Sequence, residues 1–167
     1  MKVRMTTSMG DILLELDSGK APVTVENFLA YARAGHYAGC IFHRVIEDFM
    51  IQGGGMDKDM NSKPTRAPIK NEADNGLKNV QGSIAMARTP EPHSASAQFF
   101  INTADNAFLD FRGKTEDGWG YCVFGKVVDG IDVVEKIGEV QTTRRKGFQD
   151  VPEEVVMINK VEVLDSK

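Results

Sequence analysis

The side chains best suited to chemistry gather in two stretches. The first runs Phe42-His43-Arg44-Val45-Ile46-Glu47-Asp48-Phe49-Met50-Ile51-Gln52-Gly53-Gly54 and sets one arginine and one glutamine among aromatic and aliphatic residues. The second runs from Ser83 to Arg88 and resumes from Ser96 to Asn102. Taken alone, each reads as two strands around a turn or polar loop, with Arg44 facing solvent. The familiar catalytic constellations do not assemble. No Gly-x-Ser-x-Gly surrounds Ser83 or Ser94, so neither has a nucleophile's setting. Gly53-Gly54-Gly55 lacks the Gly-Lys-Ser/Thr that completes a phosphate loop. Cys40 and His43 have a finger-like spacing, but no second Cys/His pair completes a tetrahedral site, and His36, His43 and His93 form no i, i+4 pair. No metal and no cofactor is therefore expected, and no carboxylate pair stands out as acid and base.

The elements that must position these residues are short. Lys2 to Leu16 reads as two strands joined at Met9-Gly10, and Asp17-Ser18-Gly19-Lys20 as a turn. A helix follows, with Pro22 in its first turn, Val25, Phe28, Leu29 and Ala32 on one face, and Gly35 as its stop. Cys40 to Arg44 and Phe49 to Gly53 are strands around Glu47-Asp48. Gly54 to Asn79, with four lysines and two prolines, reads as one long excursion, and loops of that length in compact domains are usually functional or mobile. Ser83 to Ala87, Gln98 to Asn102, Tyr121 to Val128 and Val155 to Val163 are further strands, with a second helix over Gly130 to Ile137. Arg144-Arg145-Lys146 reads as a solvated turn, and His93 as part of an exposed loop. About eight strands and two helices without a strand–helix–strand rhythm predict a mainly β architecture, a closed antiparallel barrel or sandwich capped by helices.

Bulk properties bound the function. The 167 residues suit one domain spanning 1–167. A formal net charge of −4 argues against a nucleic-acid or membrane-surface partner, both of which need a concentrated basic face. No run approaches the length of a membrane-spanning helix, and the N-terminal residues show no secretory signal. Cys40 and Cys122 lie in apolar stretches and imply no disulfide framework, so a cytoplasmic protein is expected.

Together the two stretches resemble the signature of the cyclophilin family of peptidyl-prolyl cis/trans isomerases, and more particularly its cytoplasmic bacterial branch. The likeness extends to Ala21 to Phe28, to Ile69-Lys70-Asn71-Glu72 and to Gly118 to Val127, in the family's order. It implies a closed eight-stranded antiparallel barrel with a helix at each end and a substrate groove along the outside. Carried over by position, the catalytic arginine falls on Arg44. Gln52, a groove amide, and Phe49, of the proline-pocket wall, complete the implied catalytic set. Met50, Phe100, Phe108 and Leu109 match the wall of the proline pocket, Gln98 a groove amide, and Ala87 with Arg88 the segment that pairs with substrate backbone. Three positions depart from the animal prototypes: Phe108 replaces tryptophan, Tyr121 histidine and Arg88 asparagine. The first two imply at most weak cyclosporin binding.

The resemblance implies activity on proline-containing peptides and on unfolded or folding proteins, by a monomer. Rotation about X–Pro breaks no bond, so a guanidinium aimed at the prolyl nitrogen and an apolar cup for the ring would suffice. Activity should then be flat from roughly pH 6 to 9, because arginine stays charged. His43 is expected to be a satisfied structural histidine. Two other readings remain open: a proline-peptide binding module or chaperone with the same fold and little turnover, and a barrel holding a small apolar ligand inside.

Overall fold

In the computed structural model, which describes residues 1–164, alternation of apolar and polar side chains decides which face each strand buries. Along β1 (Lys2–Thr7) and β2 (Gly10–Leu16) it sends Val3, Met5, Ile12, Leu14 and Leu16 into a common core. The remaining long-range strands are β3 (Cys40–Ile46), β4 (Met50–Asp57), β5 (Ser83–Met86), β6 (Phe99–Asn102), β7 (Val123–Asp129) and, after a hairpin, β10 (Ile158–Leu164). All pair antiparallel in one curled eight-stranded sheet, in the order β10-β1-β2-β7-β5-β6-β4-β3. The excursion expected from Gly54 starts later, because β4 continues to Asp57. Gly54 sits there at φ +91°, against Tyr37 and Phe99, where a Cβ would clash.

Two helices pack on this sheet. In α1 (Pro22–Arg33) the predicted face of Val25, Phe28, Leu29 and Ala32 is buried, and Phe28 meets Tyr37, Phe99 and Phe124 in an aromatic cluster. Ala21 offers no side-chain oxygen to the first turn. The Glu72 carboxylate supplies it from 48 residues away, accepting from the Val23 and Thr24 N–H groups at 3.3 and 2.7 Å. A negative group there also complements the positive end of the helix dipole. In α2 (Ile131–Gly138), Val133, Val134 and Ile137 are buried. Neither helix is long and apolar enough to cross a membrane.

The expected closed barrel is met only in part. The sheet's edge strands β3 and β10 are not joined by a continuous ladder. They touch through one bridge, Ile41 with Met157, and through two hydrogen bonds, Gly39 N–H to Ile158 C=O (2.8 Å) and Phe42 N–H to Val156 C=O (3.0 Å). β10 gives one edge to β1 along Ile158–Leu164, and on its other edge the hydrogen bonds from β3 and its approach are accepted by Val156 and Ile158, where the strand begins. Arg144-Arg145-Lys146 also proves to be more than a turn. Thr142–Arg145 (β8) and Phe148–Pro152 (β9) form a hairpin whose reversal is Lys146-Gly147, both at positive φ. Its Val151 packs with Ile41, Met56 and Met60.

Candidate active site

Register on the outer face of the sheet builds the site. Arg44 on β3 lies opposite Gln52 on β4, Gln52 opposite Phe100 on β6, Phe100 opposite Ala85 on β5, and Ala85 opposite Val123 on β7. The neighbouring row of Ile51, Ile101 and Ile84 points the other way, into the core. A second apolar cluster therefore forms outside the sheet from Met50, Ala85, Phe100 and Val123, flanked by Phe49, Ala87, Leu109 and Tyr121. Over it opens a cleft of about 130 Å³, which Met50 and Phe100 line and whose rim carries Arg44, Gln52 and Arg88. Larger hollows exist, including one of about 510 Å³ beside Leu16, Lys78 and Lys126, but none of the sequence-predicted residues lines it.

The polar rim is organised as a relay. Arg44 Nη1 donates to Gln52 Oε1 (3.3 Å), and Gln52 Nε2 donates to Gln98 Oε1 (2.9 Å). Gln98 can lie there because residue 55 is glycine; a Cβ at Gly55 would run into its side-chain amide. Arg44 stays exposed with its remaining donors free for a ligand. Gln98 lies outside the cleft and lines an adjoining groove, reached past Gln52, Ala87 and Arg88.

The aromatic wall differs from expectation at one point. Leu109 faces the cleft, but its neighbour Phe108, on the same short 3₁₀ turn Ala107–Leu109, points outward. Phe108 is 65% exposed and leans on Phe49 with ring centres 5.6 Å apart. Tyr121 meets the Phe100 ring edge-on at 5.6 Å, and the Arg88 guanidinium lies 4.5 Å from the Tyr121 ring centre.

Three asparagines escaped the sequence reading. Asn106 donates its side-chain amide to the Phe49 carbonyl (2.9 Å) and to Asn102 Oδ1 (2.8 Å). Asn102 donates to Asn79 Oδ1 and Ser83 Oγ, and Asn79 donates to Asp110 Oδ1. These asparagines are buried, and the network ties together the segments that carry Phe49, Leu109 and Tyr121. In the sequence Asn79 ends the long excursion, Asn102 ends a strand and Asn106 falls between elements, and no periodicity marks them.

The histidines and thiols lie aside from this chemistry. His43 is buried with Nδ1 lacking any partner, so it is not the satisfied histidine expected. Burial, and then the neighbouring Arg44 charge, lower its pKa to about 4. His93 is exposed as predicted, but its Nδ1 accepts the Asn71 N–H at 3.0 Å and its ring meets Trp119 edge-on. Cys40 and Cys122 are buried free thiols, and burial pushes Cys122 up to about 11. Among the described residues no three His, Cys, Asp or Glu side chains are grouped to hold a metal.

The family model described as cyclophilin type peptidyl-prolyl cis-trans isomerase matches residues 2–163. Peptidyl-prolyl cis-trans isomerase cyp18 of Streptomyces antibioticus is 60% identical over 97% of this chain and 98% of its own. Peptidyl-prolyl cis-trans isomerase B of Escherichia coli is 58% identical over 96% and 98%. Among solved structures, a cyclophilin-type isomerase of Cryptosporidium parvum, crystallised in the presence of the dipeptide Ala-Pro, superposes with a TM-score of 0.81 at 26% identity, covering 99% of this chain and 100% of that one.

Proposed function

The chain belongs to the cyclophilin family of peptidyl-prolyl cis/trans isomerases, and we propose that it turns X–Pro bonds at the outer cleft, with Arg44 as the catalytic residue. The barrier to that rotation is roughly 20 kcal/mol and comes from amide resonance. As the amide twists, the prolyl nitrogen recovers its lone pair and becomes an acceptor. A guanidinium at that point bonds the twisted state better than either planar state, which is the condition for catalysis. The observation that carries this reading is the row Arg44–Gln52–Phe100, which sets a guanidinium, steadied by an amide, at the lip of an apolar cup. Met50, Phe100, Leu109 and Phe49 would grip the pyrrolidine ring and, by displacing water, strengthen the arginine's contact. The groove with Gln98 and the Ala87–Arg88 backbone would take the flanking peptide. Lowering the barrier by about 7 kcal/mol would accelerate exchange roughly 10⁵-fold.

The same reading takes the chain as a single domain acting as a cytoplasmic monomer on proline-containing peptides and on unfolded or folding proteins. The two free, buried thiols support that compartment. Binding of cyclosporin is at most weak, in keeping with Phe108 leaving the cleft wall to Leu109. The test is exchange NMR on a short Ala-Pro peptide. Arg44→Ala is expected to cut the acceleration on the order of 10²–10³-fold while the variant stays folded and still binds. Equal acceleration by the variant would remove Arg44 from the mechanism, and binding by the unaltered protein without acceleration would make the cleft a recognition site.

A further inference from the structure

Gln52, Ala87 and Arg88 line both the proline cleft and the adjoining groove, so among the described residues Arg88 is the charged side chain that the two share. Among the described residues no aspartate or glutamate lines either hollow. Among the described residues the ion pairs are Lys114–Asp74 and Lys160–Glu162, and Arg44 and Arg88 are without a carboxylate partner. The Arg88 side chain is nevertheless held in place. Its Nε donates to the Gly120 carbonyl and Nη1 to the Thr89 carbonyl, each at 2.9 Å, and the guanidinium rests on the Tyr121 ring. Those two bonds use two of the five N–H donors of a guanidinium, which leaves three for a ligand. A cation with free donors, no counterion and a posture already fixed loses little side-chain entropy when an anion arrives. Planar, two-point pairing with a carboxylate is what arginine does best. The molecule as a whole carries −4 and repels acidic peptides at long range, so any preference for them has to arise locally.

We propose that Arg88 selects X–Pro segments bearing a glutamate or aspartate within two residues of the proline. The proposal rests on the isomerase reading of the cleft and adds the substrate class. It is tested with paired short peptides carrying Glu or Gln at each position from two before to two after the proline, with kcat/KM measured at low salt and at about 1 M salt, where screening reaches in to ~3 Å. At least one Glu peptide is expected to exceed its Gln partner by about three- to tenfold at low salt. That advantage should shrink at high salt and disappear in Arg88→Gln. A Glu/Gln ratio of one at every position in the unaltered protein overturns the proposal, and so does an advantage that Arg88→Gln leaves intact. If Arg88→Gln folds poorly, a flat wild-type ratio still overturns the proposal, and Arg88→Lys takes the variant's place, with a smaller Glu advantage expected because a point charge lacks two-point pairing and an undiminished one counting against Arg88. If the Gln peptides are accelerated and only the ratio is flat, charge selection alone fails. If no peptide is accelerated, it is the isomerase reading that falls.

Discussion

His43 occupies a break in the pairing of β3 with β4, between Phe42 opposite Gly53 and Arg44 opposite Gln52. Its pKa of about 4, against an ordinary 6.5, has two consequences. Through pH 6 to 9 the residue beside Arg44 is neutral and Arg44 is charged, so the isomerisation rate should be flat there; a bell-shaped profile not caused by unfolding would place a titrating group in the mechanism. Stability behaves otherwise. Between the two values the unfolded chain binds more protons than the folded one, so stability rises with pH. The contribution is complete above pH 6.5 and is lost as the pH falls through 4, and it amounts to about 3 kcal/mol. Burial also lowers His36, which adds to the same slope. Urea unfolding at pH 7 and near pH 4.5 should therefore show a larger loss for the wild type than for His43→Leu, which also removes an orphaned nitrogen. Equal losses in both would mean that His43 protonates freely in the folded state. Arg44, Gln52 and Phe100 were legible in the sequence through the family resemblance and not through strand period, since Cys40 to His43 are all buried and the pairing breaks at His43. The orientation of Phe108 was not, because the turn that separates it from Leu109 leaves no periodic trace.

At the scale of elements, the cup depends on three segments far apart in the chain: the turn before β4, β6, and the 3₁₀ turn at Ala107–Leu109. Asn106 joins them. Beyond its bonds to Phe49 and Asn102, its own N–H donates to the Asn79 carbonyl and its carbonyl accepts from Leu109 N–H. Asn106→Ala would leave the Phe49 carbonyl and Asn102 Oδ1 without that donor, at a cost of about 1–3 kcal/mol for a buried polar group. We expect a lower Tm together with a kcat/KM reduced about tenfold at temperatures where the variant is fully folded. A lower Tm with unchanged kcat/KM would make the network structural only. Such a network could not be read from sequence, since the three obey no strand or helix period and Asn79 joins the local Asn102–Asn106 pair only through tertiary pairing. The hairpin of β8 and β9 was missed for a related reason. Thr142, Thr143 and Arg144 are all exposed, so no alternation marks the strand, and only Val151 and Pro152 of its partner are buried. By contrast α1 was legible almost to the residue, because one buried face at helical spacing dominates it.

Across the whole molecule, the strand that carries Arg44 is the least symmetrically held of the site. On one side β3 has the ladder to β4; on the other it meets the residues entering β10 through one bridge and the Gly39 and Phe42 hydrogen bonds. A pair of hydrogen bonds contributes about 1–3 kcal/mol net, far less than a buried ladder backed by core side chains. The hairpin of β8 and β9 braces this seam from outside through Val151 against Ile41. Native-state hydrogen exchange should therefore find the Gly39 and Phe42 amides opening in a sub-global step, below the free energy needed to expose the amides between β4 and β6. Val151→Ala, which thins the brace, should lower protection at the seam more than at that central ladder. If the Gly39 and Phe42 amides exchange only with global unfolding, the seam behaves energetically as a closed barrel and Arg44 stands on a rigid wall. If they open separately, Arg44 sits at the edge of a sheet that can part, and its position in the unliganded protein is set by the hairpin as much as by β4.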